Sequence, residues 1–196
     1  MPFIGNAPAR VPLTSADITD GIITNADIAS GAAIAQSKIA GSFGKVLQVV
    51  STVKTAAQDT TSTTPVDVTD LSVNITPSST SNKVLVLVNI NNIGNSTSQS
   101  TFFRILRGST VLTSNSSGSA ADTKDAFGSG GGGGTLSNSQ KIGSASITYL
   151  DSPSSTSALT YKVTMEVDGG TGTINRWQIN NDVASVSTLT LMEISG

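Results

Sequence analysis

A short internal repeat between Thr14 and Gly41 limits what this chain can fold into more than any other feature. The stretch reads TSADITDGIITNADIASGAAIAQSKIAG, in which ADITDG (Ala16 to Gly21) returns as ADIASG (Ala26 to Gly31) and SKIAG closes at Gly41. Isoleucine falls at Ile18, Ile23, Ile28, Ile34 and Ile39, nearly every fifth residue. That spacing is neither the period of about 3.6 of a helix nor the period of about 2 of a strand. A single chain cannot bury such a stripe, so the walls of a dry axis must come from other copies or from a neighbouring protein. Identical chains around a threefold axis set each isoleucine against its own copies, which makes a trimer stem the expected structure. The competing reading is a flexible linker whose low complexity imitates a repeat.

Composition narrows the class. At 196 residues, 37% hydrophobic and with a mean hydropathy of +0.08, the chain is long enough for one domain or at most two and should fold. Only 12% of residues are charged and the net charge is -2; the Lys and Arg residues are scattered, so no basic patch marks a nucleic-acid partner. No apolar run is long enough to cross a bilayer, and the opening MPFIGNAPARVP lacks the basic and apolar regions of a signal peptide. A soluble protein made in a cytoplasm, with no membrane insertion, is expected. Cysteine and histidine are both absent, which removes disulfides, thiolate nucleophiles, zinc-cysteine sites and the commonest general base. No cofactor and no metal are expected.

Three parts follow along the chain. Residues 1–13 hold Pro2, Pro8 and Pro12, which remove backbone donors and disfavour helix, so this is an extended arm with Phe3, Ile4 and Val11 as its apolar docking residues. Residues 14–44 are the stem, ending in the glycine-containing hinge Gly41-Ser42-Phe43-Gly44. Short helical turns capped by Ser15 or Asn25 are an alternative conformation for it. Residues 45–196 are a β head.

Alternation carries the β assignment. In Tyr161 to Asp168 the odd positions are apolar and the even ones polar, and Leu71, Val73 and Ile75 alternate likewise with Ser72, Asn74 and Thr76. Lys83-Val84-Leu85-Val86-Leu87-Val88 is apolar on both faces, which predicts a central strand with the core on one side and a second layer or a neighbouring subunit on the other. Further strands are predicted over 46–53, 64–68, 101–107, 110–113, 144–150, 172–179 and 185–194. Eight to ten short strands separated by Gly, Asn and Ser indicate an all-β, antiparallel β-sandwich of jelly-roll type.

Candidate chemistry is sparse. A polysaccharide-cleaving site needs two carboxylates across a cleft; Glu166 and Glu193 lie in predicted strands, and Asp122, Asp125, Asp151, Asp168 and Asp182 read mainly as turn residues. The glycine-rich run Gly128 to Gly134 lacks the lysine and the strand–helix context of a phosphate loop. It sits within a long polar loop, 114–140, whose one large apolar residue, Phe127, either docks the loop on the sandwich or is presented to a ligand. The best ligand candidate is Asn175 to Asp182, where Trp177 offers a sugar-stacking platform and Arg176, Asn180 and Asn181 offer polar contacts. The alternative is that Trp177 points into the core.

The segments GKVLQVV, STTPVDVTDLSVNITPSSTSNKVLVLV, FFRILRGST, ITYLDSPSSTSALTYKV and STLTLMEISG together resemble the C-terminal β domain of short tail-fibre and virion structural proteins of phages of marine bacteria and cyanobacteria. The ADI repeats are similar to segments that precede such domains. The resemblance runs from Ser15 to Gly196 and transfers no functional residue. It implies a homotrimer on the virion surface, synthesised in the host cytoplasm. Residues 1–44 would anchor it to another virion protein, and the head would engage a host surface glycan or protein. A capsid decoration protein without receptor binding is the alternative, and a small polysaccharide-degrading enzyme a more distant one.

Overall fold

The computed structural model describes residues 14, 23, 25–29, 32, 45–97, 99–113, 127, 143–175 and 185–196. The chain divides into two compact units, Met1–Gly41 and Ser42–Gly196. Within the first, Asn25–Asp27 forms a 3-10 turn, and the Ala32 amide donates to the Ala29 carbonyl at 2.8 Å. Ile23 and Ile28 of the repeat are 55% and 39% exposed. Ile18, Ile34 and Ile39, with Phe3, Ile4 and Val11 of the arm, lie outside the described residues.

Among the described residues the second unit contains ten strands: β1 (Val46–Lys54), β2 (Gln58–Thr60), β3 (Val66–Ile75), β4 (Lys83–Asn95), β5 (Thr101–Arg107), β6 (Thr110–Val111), β7 (Gly143–Asp151), β8 (Leu159–Val167), β9 (Gly172–Ile174) and β10 (Ser187–Ile194). They form two sheets. The first runs β1-β10-β4-β9-β2 with β7 also paired to β4, and the second runs β3-β8-β5-β6. Every pairing is antiparallel. The fold is thus all-β and sandwich-like.

Period-two alternation explains which side chains meet. In the first sheet the inward rows are Val50, Leu191, Val86 and Tyr149, then Thr52, Leu189, Val88 and Ile147. From the second sheet Phe103, Ile105, Val163, Met165, Val68 and Leu71 join them in one core. β-Branched and aliphatic residues suit such a pleated, half-buried surface, and their burial supplies the main driving force.

Two bulges make the strands longer than the alternation alone predicts. β3 joins the two short segments read at 64–68 and 71–75 across a register shift at Asp67/Ser72, with Asp70 at φ 66°. β4 shifts register between Ile90 and Ile93, with Asn92 at φ 47°. Asp and Asn tolerate this left-handed backbone better than branched residues do. Beyond its bulge β4 pairs with β9, Gly94 opposite Thr173.

Polar ties close both ends of the core. At one end the inward row is Gln48, Glu193, Val84 and Asp151. Glu193, 1% exposed, accepts hydrogen bonds from Gln48 Nε2 (2.6 Å), the Ser78 amide (2.6 Å), Ser78 Oγ (2.8 Å) and Asn82 Nδ2 (2.5 Å). It thereby fastens the β3–β4 connection over the end of the sandwich. Asp151 accepts from Tyr161 Oη at 2.6 Å and Arg107 Nη1 at 2.5 Å, tying the two sheets together. Burial and the adjacent carboxylate push the Tyr161 phenol above its ordinary range. Burial alone would lower Arg107, but Asp151 beside it raises its pKa.

Candidate functional site

At the other end of the core the chain prepares a rigid base for the segment that carries the ligand candidates. Asn175 follows β9 and is buried, at φ 61°. Its backbone carbonyl accepts from the Ser185 amide at 3.4 Å, so the described residues on either side of 176–184 are hydrogen-bonded to each other. Arg176, Trp177, Asn180 and Asn181 all lie in that segment, outside the described residues.

The Asn175 side chain is used from both ends. Nδ2 donates to the carbonyls of Lys54 (2.8 Å) and Ala56 (3.2 Å), and Oδ1 accepts from Ser187 Oγ at 2.6 Å. Ser187 Oγ in turn accepts from the Asn91 amide at 3.0 Å, and Asn91 Nδ2 donates to the Val186 carbonyl at 2.7 Å. The Asn175 amide donates to the Asn91 carbonyl at 3.0 Å. The β4 bulge, the end of β1, β9 and the start of β10 are thus locked by one network.

This base makes a specific expectation. Asn175→Ala removes three side-chain hydrogen bonds, two of them buried, and puts a Cβ-bearing residue without a compensating side chain at positive φ, so it should cost about 2 kcal/mol of head stability. Asn175→Gly loses the same bonds and keeps the backbone, and should be the milder variant by about 1 kcal/mol. Denaturant melts of the two variants beside the parent chain check both the size and the order.

Phe127, which the sequence offers either as a docking residue or as a ligand-facing one, is paired with β5. Its backbone bridges Phe103, donating at 2.7 Å and accepting at 3.2 Å, and the two rings lie 5.9 Å apart at 40°. The side chain is part of the core. Phe127 is the docking residue of its loop, and the apolar contact it makes with Phe103 removes it from the receptor-facing set.

Four of the described carboxylates make contacts within the fold. Glu193 and Asp151 are the end ties given above, Arg104 Nη2 meets Glu166 Oε1 at 2.8 Å on the second sheet, and Lys162 Nζ meets Asp67 Oδ1 at 2.8 Å. Burial alone would raise the Glu193 carboxyl, but its hydrogen bonds from Gln48, Asn82 and Ser78 hold it down at about 2. Asp122, Asp125 and Asp182 lie outside the described residues. Among the described residues no group of three His, Cys, Asp or Glu is placed to hold a metal ion.

The first sheet also has an outward face that sequence reasoning only half anticipated. Val49, Met192, Leu85 and Leu150 stand side by side across β1, β10, β4 and β7. Next to them a shallow depression of about 310 Å³ is lined by Leu87, Asn89, Ser146, Thr148, Thr188 and Thr190. The two-faced apolar pattern of Val84 to Val88 pointed to this face; the contribution of β1, β7 and β10 to it depends on strand order, which alternation does not encode. No family model matches the chain, and no curated protein matches it.

Proposed function

We propose that this chain is a phage virion fibre protein: a homotrimer whose N-terminal arm anchors to the particle, whose repeat forms the stem, and whose jelly-roll-like β head engages the host cell surface through the loop rooted at Asn175 and Ser185. The observation that carries this reading is the isoleucine repeat joined to a compact β unit. Ile23 and Ile28 remain exposed in the single chain, as expected of a segment that finds its core between copies. The resemblance of the segments from Ser15 to Gly196 to phage fibre domains supports the same assignment. The mechanism is multivalent recognition: several heads on one particle convert modest contacts into firm attachment through high effective concentration.

Trp177 is assigned as the stacking platform, with Arg176, Asn180 and Asn181 orienting hydroxyl groups. Trp177→Ala should weaken binding to a susceptible cell, or to its isolated surface glycan, by about tenfold or more while the thermal transition stays within a few degrees of the parent. Reduced binding together with a large fall in the transition would place Trp177 in the core and remove it from the site. A head that binds no cell or glycan while residues 1–44 hold the protein on the particle would favour capsid decoration instead.

A further inference from the structure

The outward face of the first sheet is rich in aliphatic side chains. Its outward positions on β1, β10, β4 and β7 carry Leu47, Val49, Val53, Met192, Leu85, Leu87 and Leu150 among Ser, Thr and Asn. The one charge among them is Lys83, at the rim, where its Nζ donates to Ser152 Oγ at 2.9 Å. Val49 and Leu150, at opposite edges, are 54% and 52% exposed. Isolated exposed aliphatics are ordinary, but a continuous row across four strands marks an interaction surface.

From this we infer that the heads of neighbouring copies meet through this face, adding contacts to an assembly that depends on the stem. The inference rests on the trimeric reading above. Four strands at about 4.8 Å spacing and eight residues at about 3.4 Å make a flat footprint of about 500 Å² before side-chain relief is added. That is the scale of the roughly 800 Å² of accessible surface that each partner buries in a stable protein interface. A face without like charges at its centre meets its own copies around a symmetry axis with no repulsion. β1, which begins at Val46, supplies one edge of the face with its outward residues. Val84, Val86, Val88, Ile90 and Ile93 of β4 belong to the core, whereas Leu85 and Leu87 of the same strand do not.

The test uses the full chain. Because the chain has no cysteine, Val49→Cys carries a sole thiol, and Ser157→Cys, on an exposed connection, serves as the reference. In the assembled protein the thiol of Val49→Cys should react with a maleimide probe about tenfold more slowly than that of Ser157→Cys. Val49→Lys with Leu150→Lys should keep the parent circular dichroism while the assembly dissociates at about tenfold higher protein concentration. An assembled protein whose Val49→Cys thiol reacts as fast as the reference, with the lysine variant unchanged in mass, overturns the inference and leaves the trimer standing. A parent chain that is monomeric overturns the trimer reading and the inference with it. Protection at Val49→Cys that persists after Ile18, Ile23 and Ile28 are replaced by Asp and the protein is monomeric would put this chain's own N-terminal segment on the face, and overturns the inference as well.

Discussion

Glu193→Gln is expected to lower the melting temperature of the head by about 10 °C at neutral pH. The substitution keeps size and shape but replaces one acceptor oxygen with an NH2 group. Glu193 receives the donors of Gln48, Ser78 and Asn82, so the new NH2 faces donors and leaves buried polar groups unpaired. A loss of about 3 kcal/mol follows from breaking charge-assisted hydrogen bonds in such a setting, and for a domain of this size each kcal/mol is worth about 2–4 °C.

The same residue sets the acid limb of stability. Its folded pKa of about 2 lies below the ordinary value of a glutamate, which the unfolded chain retains. The carboxylate therefore stabilises the fold fully above about pH 5, and this contribution is lost as pH falls toward 2. The parent protein should lose melting temperature steadily across that window, and Glu193→Gln should show a much flatter profile over the same pH range. Thermal melts at several pH values between 7 and 2 check both statements. A variant that melts with the parent at pH 7 and follows the same acid slope would show that Glu193 does not fasten the β3–β4 connection.

Replacing Ile18, Ile23 and Ile28 together by Asp should reduce the assembly to single chains. Three carboxylates per chain would face their own copies along a dry axis, and an unpaired buried charge costs far more than any aliphatic contact on that axis returns. The head should remain folded, because its core residues come from Val68 to Leu191 and include none of the three. Sedimentation with circular dichroism separates the outcomes: a fall in mass with β structure retained is expected, and an unchanged mass would remove the stem from the assembly.

The sequence reading of the head succeeds where alternation is strong and fails where backbone geometry or strand order decides. The strand read at 101–107 is β5 itself, Thr101–Arg107, because each inward Phe103 and Ile105 is flanked by outward-facing partners. β2 escapes notice because Gln58–Thr60 is short and wholly polar; it is a strand only because β9 lies beside it. The gap read between 68 and 71 is a bulge at Asp70 inside one strand, and the stop read at Val88 is carried past by the bulge at Asn92, features set by two residues' φ angles rather than by hydrophobic pattern.

The site was legible in part for a related reason. Single-sequence reading pointed to Asn175 to Asp182 through its Trp and amide residues, but gave no reason to separate Asn175 from its neighbours. The structure does so: Asn175 is the buried root of the loop, spanning Lys54, Ala56 and Ser187 from distant parts of the chain. Glu193 was legible as a strand residue with apolar neighbours. Its role as an acceptor for three side chains and one backbone amide depends on sheet order, which places Gln48 beside it and the Ser78–Asn82 turn above it. Phe127 posed two alternatives that the chain alone left open, and its pairing with Phe103 decides between them.

Light scattering of the full chain at micromolar concentration tests the central claim most directly. The fibre account predicts a particle of three times the 19.8 kDa chain mass, persisting on dilution. A single-chain mass across the same range would contradict it.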